Sequence, residues 1–96
     1  MRHATQDDLD HVEALLVGLR KLPQLRERRP GSFSRGSHAF LHFHEDAGDF
    51  YVDVKLDGSF RRAKVTSSTE QADLLSRVRT ALESTSAPRS GASDVR

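Results

Sequence analysis

The chain has no cysteine, so neither a disulfide framework nor a thiolate metal site is open to it. No apolar run approaches the roughly 20 residues that span a bilayer. Its beginning, Met1-Arg2-His3-Ala4-Thr5-Gln6, lacks the apolar stretch of a signal peptide, and the expectation is a cytoplasmic protein with no membrane partner. An excess of one charge is missing as well, because a formal net charge of +1 offers no global attraction to nucleic acid. At 35% apolar and 30% charged over 96 residues, the composition fits one small domain with a thin core, at residues 1–84, and a disordered tail at 85–96 rich in Ser, Ala, Pro, Gly and Arg.

Charge is present in blocks. Asp7, Asp8, Asp10 and Glu13 precede Arg20, Lys21, Arg26, Arg28, Arg29 and Arg35, and a second acidic block (Glu45, Asp46, Asp49, Asp53, Asp57) precedes Arg61, Arg62 and Lys64. Such alternation reads first as a solvated, self-neutralising surface. The acidic first turn, with His3, His11 and Glu13 nearby, offers a ridge for cations, although compensation of a helix dipole explains it better.

Thr5 with Asp8 three residues on imitates a capping box, and Leu9, Val12, Leu15, Leu16, Leu19 and Leu22 recur at helical spacing until Pro23, which predicts one helix over 6–21. From Pro23 to Gly31 the chain reads as a basic loop. Ser67 or Ser68 caps a second helix over 69–84, with Ala72, Leu75, Val78 and Leu82 on one face.

Between the helices the period changes to two. Phe50 to Leu56 alternates apolar and polar, meets Asp57-Gly58, the strongest type I′ turn signal, and returns over Ser59 to Val65. That turn sets Val52 opposite Ala63, Tyr51 opposite Lys64 and Asp53 opposite Arg62. Upstream, His38 to Glu45 also alternates. A tight turn at Ala47-Gly48, or a loop from Asp46 to Asp49, sets Phe43 against Val52 and Leu41 against Val54, which matches apolar with apolar. A short edge strand, Ser32 to Ser34, then pairs Phe33 with Ala39 around a loop at Arg35-Gly36-Ser37. The expected fold class is α+β: a two-layer sandwich of helix, four-stranded antiparallel meander and helix, with both helices on the Leu41/Phe43/Val52/Val54 face.

The other face is expected to hold Phe40, His42, His44, Tyr51, Asp53, Lys55, Phe60, Arg62 and Lys64. Three rings among mixed charges suit a non-catalytic binding module for a protein partner or a second copy of the chain. Rings beside cations also suit nucleic acid, as an alternative. His42-x-His44 sets two imidazoles on one side of a strand, roughly 6 to 7 Å apart by strand rise, so a metal held by His42, His44 and Asp53 is the third reading. His42 beside Asp53 resembles an oriented acid–base pair, but a cross-strand pair with Arg62 as its third member accounts for it equally. No positioned nucleophile or glycine-rich phosphate loop accompanies it, and no cofactor is expected.

At Leu22-Pro23-x-Leu25-x-Glu27, Gly31-x-Phe33 and Ala39-Phe40-Leu41-His42-Phe43-His44 the chain resembles small uncharacterised actinobacterial proteins. More distantly, over about residues 12 to 82, it is similar to the MmcQ/YjbR-like group, whose members carry a helix ending in a Leu-Pro turn before an antiparallel meander. The resemblance implies a compact α+β fold and a DNA-binding role, with no catalytic residues to carry over. The element order is also similar to that of frataxin-like sandwiches, a likeness of fold alone.

Overall fold

Ala47 and Gly48 both have positive φ, 53° and 86°, as a type I′ two-residue turn requires. In this computed structural model, which describes residues 2–86, that turn joins β4 (His38–Asp46) to β5 (Asp49–Lys55). It pairs Phe43 with Val52, Leu41 with Val54 and His42 with Asp53, the register that apolar matching predicts. β5 pairs in turn with β6 (Phe60–Lys64), setting Tyr51 opposite Lys64, Val52 opposite Ala63 and Asp53 opposite Arg62. The connection reaches this register without the expected turn. Gly58 has φ 96°, but Asp57 is not in the positive-φ region, so Asp57-Gly58 is not type I′. Its carboxylate instead accepts from the Ser59 amide at 3.5 Å and from Arg61 Nε at 3.1 Å, the local bonding by which Asp competes with a regular turn.

The sheet is antiparallel in the order β2-β3-β4-β5-β6, with a short β1 also on β4, so it has six strands where four are expected. β2 (Arg26–Arg29) lies in the segment read as a loop. Its charged composition hides it, and tertiary contacts make it: Arg20 reaches both Glu27 oxygens, at 2.7 and 3.2 Å, while the Gly31 amide donates to the same carboxylate at 3.1 Å. Gly31, at φ 78°, closes the turn into β3 (Ser32–Arg35). β3 pairs Phe33 with Leu41 rather than with Ala39, and Arg35 with His38 around Gly36-Ser37. Because Ser34 then faces Ala39, Phe40 is an extra residue on β4, a bulge. β1 (Arg2–His3) lies on β4 beyond the end of β3, with His3 opposite His44.

The expected helix over 6–21 is two helices, α1 (Gln6–Asp10) and α2 (Glu13–Arg20). The capping box on Thr5 and Asp8 forms as expected. The break comes at Val12, whose φ of −118° and ψ of 26° leave the helical region, while the His11 and Val12 amides bond three residues back instead of four. The apolar stripe survives the break, for Leu9, Val12, Leu15, Leu16 and Leu19 are all buried. α3 (Ser68–Ser86) starts with reciprocal bonds between Ser67 and Glu70 and runs two residues past the expected 84, so the remainder of the expected tail, 87–96, lies outside the described residues. It buries Leu74, Val78 and Leu82; Ala72 is exposed, and Leu75 packs over Gly18 of α2.

One core forms where the helical stripes meet Phe33, Leu41, Phe43, Val52, Val54 and Val65, an α+β arrangement with the helices against a single sheet face. Among the described residues, no helix is long and apolar enough to cross a membrane.

Candidate metal centre

The bulge decides which side chains of β4 reach the open face. A bulge sends two successive side chains toward one side, and Phe40 and Leu41 are both buried. Phe40, expected among the exposed rings, is 4% exposed and shares a cavity with Leu56 and Ala81 of α3. From Leu41 onward the register with β5 runs without a slip, which sets His42 and His44 on the side opposite Leu41 and Phe43, although His44 is itself buried at 8% exposure.

β1 then brings a residue that strand periodicity cannot find. The Ala4 amide donates to the Phe43 carbonyl at 3.3 Å, and the pairing of His3 with His44 sets both on one face. The ring centroids of His3, His42 and His44 are 5.8, 5.0 and 4.8 Å apart in the three pairings. One ligating nitrogen from each lies within 4.8 Å of the others. His38, at the far end of β4, stays outside this cluster, and His11 stacks instead on Phe50 at 5.5 Å.

Asp53 stands beside the triad. His42 is its cross-strand partner, as expected, and the imidazole whose nitrogen comes nearest is His44, its diagonal neighbour, with Nε2 3.0 Å from Asp53 Oδ2. The approach is short but not aligned as a hydrogen bond, and His44 Nε2 and His42 Nδ1 are buried with no hydrogen-bond partner among the described residues. Arg62 holds Asp53 through a fork of 2.8 and 2.9 Å, as expected for this cross-strand row. The guanidinium keeps the Asp53 carboxyl below the usual carboxylate range, so it is an anion beside the rings. Burial, and then the neighbouring His44, push His42 below the ordinary imidazole value, which favours the neutral ring that binds metal.

The remaining residues expected on this face are dispersed. Phe60 is 44% exposed, its ring edge-on to His42 at 5.5 Å and under Lys55 Nζ at 5.3 Å. Tyr51 is half-buried, and Lys64 lies 3.6 Å from Asp49. Beyond His42 and His3 a cavity of about 360 Å³ opens toward β2 and β3, lined by Arg28, Arg29, Ser32 and Ser34 among others.

Comparison with known protein families, curated proteins and solved structures finds no match, so the functional reading rests on this geometry.

Proposed function

We propose that the protein is a metal-binding domain in which His3, His42 and His44 hold one divalent first-row transition ion on the open face of the sheet. The observation that carries the reading is the convergence of three imidazole nitrogens to within 4.8 Å. Tetrahedral zinc, with bonds of about 2.0–2.1 Å, needs its ligand atoms roughly 3.4 Å apart, so side-chain rotations closing roughly an ångström suffice. The buried Nδ1 of His42, without a hydrogen-bond partner among the described residues, supports this, because a buried polar atom without a partner is costly and a metal supplies one. The Asp53 carboxylate fits the outer shell: it lies 3.0 Å from His44 Nε2, which leaves Nδ1 of that ring as the atom to hold the ion. Imidazole donors suit zinc, iron, nickel or copper, and three of them leave a fourth position open.

The expected set of ligands, His42, His44 and Asp53, changes in one member, since Asp53 is committed to Arg62 and His3 takes its place. Two other readings lose support. A protein or self-association surface rested on three exposed rings, and Phe40 lies in the core. A nucleic-acid groove needs cations of one sign, whereas Arg62 and Lys64 lie against Asp53 and Asp49.

The test is calorimetric titration of chelator-treated full-length protein with zinc, and optical titration with cobalt(II). One equivalent is expected, with the cobalt spectrum of a tetrahedral or five-coordinate site. His3→Ala, His42→Ala and His44→Ala should each abolish it, and His38→Ala should not. Binding that is absent, or untouched by the three substitutions, sinks the reading.

A further inference from the structure

We propose that the cavity between the histidine cluster and β2 binds the oxyanion group of a small molecule, a carboxylate or a phosphate, which also occupies the open position on the metal. The inference rests on the metal reading above and assigns that site its ligand class. The cavity is about 360 Å³, at the lower end of the range for small-molecule sites. Its charged and titratable lining is Arg28, Arg29, His3 and His42, and among the described residues no carboxylate lines it.

Arg20, Arg61, Arg62 and Arg77 each pair with a carboxylate, whereas neither Arg28 nor Arg29 has a carboxylate within ion-pair distance among the described residues. Their location follows from the fold: β2 skips a residue between Glu27 and Arg29, placing Arg28 in a bulge, and the Arg20–Glu27 fork fixes that edge against α2. Ser34, also in the lining, is 5% exposed and its Oγ has no hydrogen-bond partner among the described residues. Ser34 is therefore a buried donor without an acceptor beside two unpaired guanidiniums. An oxyanion satisfies all of them, since guanidinium and hydroxyl donors both recognise its oxygens. Because His42 and His3 line the cavity and belong to the triad, one oxygen of that group reaches the metal's vacant position.

Two titrations at constant ionic strength test this, each with inorganic phosphate, with acetate and with chloride as the control. In metal-free labelled protein, phosphate or acetate should shift the amides of Ser32, Ser34 and Ala39 at millimolar concentration, and chloride should not. In cobalt-loaded protein the same anion should alter the visible spectrum. Phosphate acting at lower concentration than acetate assigns a phosphate group, and the reverse assigns a carboxylate. The double substitution Arg28→Gln/Arg29→Gln should weaken anion binding about tenfold or more while cobalt still binds at one equivalent. A cobalt spectrum that forms but ignores both anions, shifts matched by chloride, or anion binding unaltered in the double variant overturns the pocket. Absence of cobalt binding in the unsubstituted protein instead overturns the metal reading and the coordination that depends on it, whatever the metal-free titration shows.

Discussion

The two faces of β4 and β5 share a backbone and a register, yet they are built by different means. On the covered face Leu41, Phe43, Val52 and Val54 lie under α2 and α3 with almost no exposure. Each is there because alternation sends it there and apolar burial rewards it. On the open face His42 and His44 alternate in the same way, but what they form depends on residues from elsewhere: His3 from β1, Asp53 from β5, and the β2 edge. The first face is a product of local pattern, the second of long-range placement.

The largest expected effect breaks the first face. Leu16→Ala, which empties a fully buried position between helix and sheet, should cost about 2 to 4 kcal/mol in denaturant unfolding, and Val52→Ala should fall at the lower end. His3→Ala, on an exposed side chain, should cost less than about 1 kcal/mol without metal. A reversed order would mean that the faces are exchanged.

Metal should narrow that contrast. At free zinc one hundred times the dissociation constant, mass action adds about 2.7 kcal/mol, close to what Leu16 contributes to the core. This gain should vanish in His3→Ala and His44→Ala and survive in His38→Ala. A thermal shift retained in all three variants would place the metal elsewhere.

How much of each face can be read from sequence follows the same division. The Phe43–Val52 register, the Thr5 capping box and the covered face follow from neighbours close in the chain and are legible, while the Ala47-Gly48 turn and the Ser67 cap are each one of two choices that the local spacing allows. Phe40 is misread because a bulge is a property of two strands: nothing in His38 to Glu45 alone announces the slip between Phe33 and Ser34. β1 is two residues long, too short for any period, so His3 carries no signal beyond its being a histidine. β2 is concealed by its charges; only the partnership of Arg20 with Glu27, seven residues apart, hints that the segment is tied to α2. The break at Val12 preserves the spacing of the leucines and is invisible to a helical pattern for that reason.

A smaller effect is expected at Gly31, where the β2–β3 turn meets the core. Its φ of 78° disfavours a side chain, and a Cβ would come within 3.0 Å of Leu9 Cδ2. Gly31→Ala should cost about 1 to 2 kcal/mol and disturb anion binding at the Arg28–Arg29 edge more than cobalt binding at the triad. Equal damage to both would show that the edge and the triad are one rigid unit.

The smallest effect separates the same edge from the core by pH. Glu27 is held below the ordinary glutamate range chiefly by its hydrogen bonds to Arg20, with the Gly31 amide adding to them against the opposing effect of burial. A carboxyl with a depressed folded value contributes stability that is fully present above its unfolded value, about pH 4.3, and is lost as pH falls through the folded value. Glu27→Gln keeps the shape and removes the charge, so it should lower stability by about 1 kcal/mol near neutrality. The difference from the unsubstituted protein should shrink below about pH 4, when both chains present a neutral group to Arg20. Urea unfolding followed from about pH 7 to about pH 3 measures it. A difference that persists unchanged at the acid end would mean that Glu27 acts through packing, and that β2 is held to α2 by something other than this ion pair.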